Sequence, residues 1–232
     1  MHLVLEKRPR NPIIISGFPG FGLVGTIATE FLIKHLDAEP IGNVRVEEVP
    51  PVIAVHKGVP LEPIGIFYDK RTNILILHAL TGVNNLEWDL AELIVKLGKD
   101  LKAKEIISLE GVGSDITDSQ TPKAFYIGNC KKIKASGLES LREGIIVGVT
   151  GALLLRKDVS VTCIFAETHS TLPDSRAAAK IIEVLDKYLN LKVDYKPLLK
   201  KAEDFESKLK TIVEKSQSIS AQRDKKKLTY FG

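Results

Sequence analysis

An α/β sandwich around a mostly parallel or mixed sheet is the fold class that this 232-residue sequence predicts. Two observations point to it. Over roughly the first 190 residues, short β-rich apolar runs alternate with longer segments whose apolar residues recur at helical spacing. The breaks between these segments are marked by Pro, Gly, Asn and Asp. A hydrophobic fraction of 44% beside 27% charged residues supplies a sizeable core. No internal repeat or low-complexity segment divides it, so residues 1–195 read as one core domain.

The elements follow in order. "NPIIIS" reads as a buried strand, and Phe21 to His35 as a helix with an apolar stripe. "IGNVRVEEVPP" is a poor buried strand. "PPVIAVHKG", "PIGIFYDK" and "TNILILHAL" are short β-rich runs. Leu86 to Leu101 predicts an amphipathic helix, with Leu86, Leu90, Leu93, Ile94 and Leu97 on one face. "KEIISLEGVG" and "KAFYIG" read as strands, while Glu143 to Leu155 fits either type. "VSVTCIFAE" predicts a strand, and "TLPDSRAAAKIIEVLDKYL" a helix started by Pro173 and Asp174.

The character changes after "NLKVDYKP". Leu198, Ala202, Phe205, Leu209, Ile212, Ser216 and Ile219 are spaced alternately four and three apart. That is a heptad seam, so residues 196–220 predict an amphipathic helix that needs a partner face, in its own domain or in another subunit. Residues 221–232 read as a flexible basic tail that ends in Tyr230, Phe231 and Gly232.

Charge and composition narrow the function. The segment from Lys196 to Gly232 holds ten Lys/Arg against five Asp/Glu, whereas the rest is nearly neutral. A basic tail on a neutral body argues against a nucleic-acid-binding core. The longest uncharged apolar-rich run, Gly144 to Leu155, is too short to span a membrane, and charge enters the N-terminus at Glu6, which speaks against a secretory leader. Cys130 and Cys163 lack CxxC spacing and read as reduced thiols of a cytoplasmic protein. One Met and two Cys beside abundant Ile, Val, Lys and Glu hint at a thermophilic source.

Three motifs bear on chemistry. Gly20, Gly22 and Gly25 form a literal Gly-x-Gly-x-x-Gly between a strand and a helix, with Glu47 and Glu48 about 20 residues on. The pattern fits a tight turn for close packing, a phosphate site at a helix N-terminus, or a dinucleotide site; the bulk of Pro19 and Phe21 favours the first. "LEGVGSDITDSQTP" places Glu110, Asp115 and Asp118 after a strand, and "FAETHSTLPDS" does the same for Glu167, His169 and Asp174. Gly20, Gly22, Glu110, Glu167 and His169 therefore define an alternative ligand cleft, suited to an enzyme acting on a nucleoside or a phosphorylated small molecule. His35, His56 and His78 read as isolated. No Cys/His spacing indicates a metal, and no nucleophile elbow or Walker loop occurs, so no catalytic, cofactor-binding or metal-binding residue is assigned.

"GFPGFGLVGTIATEFLI", "LEPIGIFYD", "SLEGVG", "GVTGALLL" and "ETHSTLPDSRAAAKIIEVL", in this order, resemble the archaeal branch of the proteasome assembly chaperone family. These are relatives of the second member of the eukaryotic chaperone pair. The resemblance spans about Asn11 to Leu189. It implies a nucleoside-phosphorylase-like, three-layer α/β/α sandwich and a protein not established as an enzyme. It further implies an assembly chaperone or ATP-independent activator of the 20S proteasome, working without a cofactor. Its partners would be 20S α-subunits, further copies of itself in a ring or tetramer-like homo-oligomer, and a candidate second family member. Some members end in a hydrophobic residue, a tyrosine and a final residue that enter pockets between α-subunits. Tyr230, Phe231 and Gly232 match that pattern, except that Phe231 replaces the tyrosine and lacks its hydroxyl. Leu198, Ala202, Phe205, Leu209 and Ile212 would form the oligomerisation or helix seam.

Overall fold

A computed structural model of the chain describes residues 1–48, 53–56, 59–113, 122–128, 130–134, 137–168, 172–200 and 211. The first strands are β1 (His2–Leu5) and β2 (Ile13–Gly17). A 3₁₀ turn at Phe21–Leu23 leads into α1 (Val24–Leu36), then β3 (Glu39–Arg45). The short strands β4 (Ala54–His56) and β5 (Val59–Leu61) pair antiparallel in a two-stranded sheet of their own. Next come β6 (Ile64–Asp69), β7 (Ile74–Ala79), α2 (Glu87–Asp100) and β8 (Glu105–Gly113). The chain continues through β9 (Ala124–Ile127), α3 (Lys131–Lys134), β10 (Glu139–Ser140) and α4 (Gly148–Leu154). It proceeds to β11 (Val161–Thr168), α5 (Ser175–Leu189) and α6 (Lys196–Lys200).

Among the described residues, nine strands form one mixed sheet in the order β1-β3-β6-β7-β2-β8-β11-β9-β10. Its centre is parallel: β2 pairs with β7 and β8, and β8 with β11. The flanks are antiparallel, from β1 to β7 on one side and between β9 and β11 on the other. The central strands are apolar on both faces, as parallel strands covered by helices must be.

Alternation along those strands builds two cores. Ile15, Ile107, Leu109, Ile164 and Ala166 point toward α1 and α5, where they meet Ile27, Leu32, Ile181 and Leu185. Ile14, Ile106, Cys163 and Phe165 point the other way, toward α2 and α4, and meet Leu90, Ile94, Val149 and Leu153. The result is a three-layer α/β/α sandwich: the α/β sandwich that the alternation predicts, in the three layers that the family resemblance implies.

Four local readings change or are resolved. "IGNVRVEEVPP" is a poor candidate for a buried strand, yet Glu39–Arg45 forms β3. β3 lies between β1 and β6 near the rim and buries only Ile41 and Val44 well, so a weak apolar pattern suffices there. The ambiguous Glu143–Leu155 run contains α4, whose glycines did not disclose its type. The predicted helix from Phe21 is delayed to Val24, because Gly22 and Leu23 take positive φ of 62° and 49°. β1, absent from the sequence reading, is a half-exposed edge strand.

Candidate functional site

The glycine turn sits at the carboxyl ends of β2, β8 and β11, where open α/β sheets place their ligand sites. Each glycine answers to a close neighbour. A Cβ on Gly17 would overlap the Gly25 carbonyl, and one on Gly25 would overlap the Leu109 carbonyl of β8. A Cβ on Gly111 would strike the Phe21 carbonyl. These glycines let the start of α1 press directly onto β2 and β8. Gly20 faces the carboxylate of Glu110, and Gly22 faces Thr168 and Asp174. The space a ligand would need beside these two glycines is taken by the protein's own side chains.

Gly22 also ties the turn to the other end of the site. Its carbonyl accepts from the Asp174 backbone N–H at 2.8 Å. Asp174 Oδ1 caps α5 by accepting from Ala177 N–H at 2.9 Å, while its Oδ2 accepts from the Thr168 hydroxyl at 2.9 Å. One acidic residue thus starts α5, closes β11 and anchors the glycine turn.

Glu110 lies on the α2/α4 side of β8 and is 7% exposed. Its Oε1 accepts from Gly111 N–H at 3.2 Å, and its Oε2 from the Thr150 hydroxyl at 3.2 Å. Thr150 Oγ1 is 2.9 Å from Ser108 Oγ, which the Ser16 hydroxyl approaches at 3.4 Å. Burial pushes the Glu110 carboxyl up to about 8, against the weaker pull of its two hydrogen bonds. The neighbouring Cys163 thiol is raised by burial and by the Glu110 charge, and so is not reactive.

The remaining predicted cleft residues diverge. Glu167 turns to the sheet margin, where its Oε2 accepts from Lys123 N–H at 3.1 Å. His169 lies outside the described residues, as do Asp115 and Asp118. Gly20, Gly22 and Glu110 are therefore brought together, and Glu167 is tied to a different strand. Glu47 and Glu48, which a dinucleotide fingerprint would bring near the turn, follow β3; two strands, β7 and β6, separate β3 from β2. Among the described residues, no group of three His, Cys, Asp or Glu could hold a metal ion, and no helix is long and apolar enough to cross a membrane. Of the seam residues, Leu198 falls in the backbone of α6; Ala202, Phe205, Leu209 and Ile212, and the terminal Tyr230, Phe231 and Gly232, lie outside the described residues.

His78 is not isolated, as the sequence reading has it. It is 1% exposed on β7, with Nε2 3.2 Å from Glu30 Oε2 and Nδ1 2.8 Å from the Thr29 hydroxyl on α1. The Nε2 contact does not meet hydrogen-bond geometry. Lys34 reaches Glu30 Oε1 at 2.6 Å. Burial would raise the Glu30 carboxyl, but His78 and Lys34 together hold it down at about 2. His35 stacks on Phe31 with ring centroids 5.9 Å apart. No spacing in the sequence announces the Glu30–His78 pair, because 48 residues and a strand crossing separate its members.

Residues 14–213 match the model of the PAC2 family. An uncharacterised protein of Methanocaldococcus jannaschii is 31% identical over 95% of this chain and 93% of its own length. The crystal structure of Pyrococcus furiosus PbaA, an archaeal homolog of proteasome-assembly chaperone, superposes with a TM-score of 0.85 at 35% identity, covering 94% of this chain and 99% of that one. P. furiosus PbaB, an archaeal proteasome activator, shares the fold at a TM-score of 0.72 and 22% identity, over 91% and 98% of the two chains.

Proposed function

The chain belongs to the PAC2 family, and from that premise we propose that it is a proteasome assembly chaperone or ATP-independent activator, working in the cytoplasm as a homo-oligomer. The observation that carries this reading is the likeness to PbaA, which extends over nearly the whole of both chains at 35% identity. The filled glycine turn supports it as well. Gly20 and Gly22 are spent on contacts with Glu110, Thr168 and Asp174, which is what a packing turn requires and what a phosphate cradle would have to leave open.

On this reading, Tyr230, Phe231 and Gly232 dock between 20S α-subunits. The terminal carboxylate meets a cation while the two aromatic rings fill apolar walls. A single tail binds weakly, since ordering it costs entropy, and several tails from one oligomer gain by effective concentration. Lys225 to Lys227 favour an acidic surround. Phe231 lacks a phenol hydroxyl, which weakens gate opening more than docking.

The test is binding to purified archaeal 20S proteasome by the full chain and by a chain lacking residues 230–232, with mass measured in parallel by light scattering. The expected result is loss of binding with the oligomer intact. Equal binding by both chains rejects tail docking and leaves assembly through a body surface. If neither binds, the 20S partnership itself fails.

A further inference from the structure

Among the described residues, Glu110 is a buried acid with no counter-charge beside it. Its hydrogen-bond donors are a backbone amide and a threonine hydroxyl, both neutral. The elements around it present few groups that titrate. β2 contributes Ser16, β8 itself Ser108, α4 Thr150, and the turn Gly20. β11 contributes the Cys163 thiol, whose ionisation is opposed by burial and by a charge on Glu110. A carboxylate in such surroundings forfeits its hydration without gaining a cation, so the neutral acid is the stable form.

The glycine turn closes directly over this acid. Gly20 lies so near Oε1 that even a methyl group could not be fitted between them. Water can reach an ionised Glu110 from this side only if the turn lifts. The turn is also held by the Gly22–Asp174 bond, and it carries Phe21, which is 41% exposed.

We propose that Glu110 is a pH-responsive latch beneath the turn at residues 18–23: neutral, it lets the turn seat on β8; ionised, it draws in water and loosens the turn, shifting the exposed Phe21. The switch falls a little above neutrality, since burial sets the carboxyl at about 8. A carboxyl raised in the folded state stabilises fully below its ordinary value of 4.5, and that contribution is lost as pH rises toward 8.

The experiment is hydrogen–deuterium exchange on the full chain at about pH 6 and about pH 9, corrected for intrinsic exchange, comparing peptides over the turn with peptides over α5. Wild type is expected to lose roughly tenfold in protection at the turn between the two conditions, and Glu110→Gln to show no such change. A pH response of equal size in Glu110→Gln, or none in wild type, overturns the latch. Should Glu110→Gln fail to fold, infrared titration of wild type decides the matter. A protonated-carboxyl band that disappears with a midpoint near 8 supports the latch, and its absence at neutral pH overturns it.

Discussion

Gly25 stands against the carbonyl of Leu109, a backbone atom that cannot swing aside, whereas Gly20 stands against the end of the Glu110 side chain. The two glycines therefore differ in what an added methyl would cost. Gly25→Ala must push α1 off β8, and overpacking of that kind costs about 1–3 kcal/mol. Gly113→Ala, at the exposed end of β8 with no described residue within 4 Å of its would-be Cβ, is expected to cost well under 1 kcal/mol, as an unconstrained surface change should. Thermal unfolding of the two variants checks the ranking; equal melting temperatures would mean that the close approach is not what the turn glycine is for. Asp174 shows the same economy in polar form, since its two oxygens and its amide fasten a helix, a strand and a turn.

Helix α1 is fixed to the sheet by more than apolar packing. Glu30 on α1 lies against His78 on β7 in a buried contact, and Lys34 pairs with Glu30 from the rim. Because the Glu30 carboxyl is held below its ordinary 4.5, at about 2, its contribution is present above pH 4.5 and is lost as pH falls toward 2. Glu30→Gln is expected to lower stability by on the order of 1–3 kcal/mol near neutrality. The gap to wild type should close in acid. Denaturant unfolding at neutral pH and at about pH 3 reads both effects, and a gap independent of pH would assign the loss to packing rather than charge. Helix α5 is organised differently. Its N-terminus rests on the Asp174 cap, and near its far end the Tyr188 hydroxyl donates to Glu105 at 2.9 Å, which bolts it to the start of β8.

At the scale of the whole molecule, helices cover both faces of the central strands, and the proposed work falls to surfaces and to the C-terminal segment. On the proposed reading, the predicted heptad seam joins that segment to other subunits. Leu209→Asp places a charge at the centre of the seam and is expected to reduce the mass seen by light scattering to that of a single chain, and with it the avidity for 20S particles. A variant that keeps the full oligomeric mass would assign the seam to the chain's own domain.

Much of this architecture could be read directly from the residues. "NPIIIS", "TNILILHAL", "KEIISLEGVG" and "VSVTCIFAE" are apolar enough on successive residues that only strands buried on both faces accommodate them, and they became β2, β7, β8 and β11. Helices α2 and α5 declared themselves through their stripes. By itself, then, the sequence determined an α/β sandwich, the packing role open to its glycine turn, and a resemblance, which implies three layers, that the PAC2 match bears out. β1 escaped notice and the β3 segment read only as a poor strand, because rim strands bury little and a half-exposed face leaves a weak pattern. What only the tertiary structure decided is which polar groups meet: Glu110 beneath Gly20, Asp174 across from Gly22, Glu30 beside His78, and Glu167 drawn away to Lys123. The physical reason is range. Apolar periodicity is set by the nearest few residues, whereas a buried charge finds its partner through strand order, which no local pattern encodes.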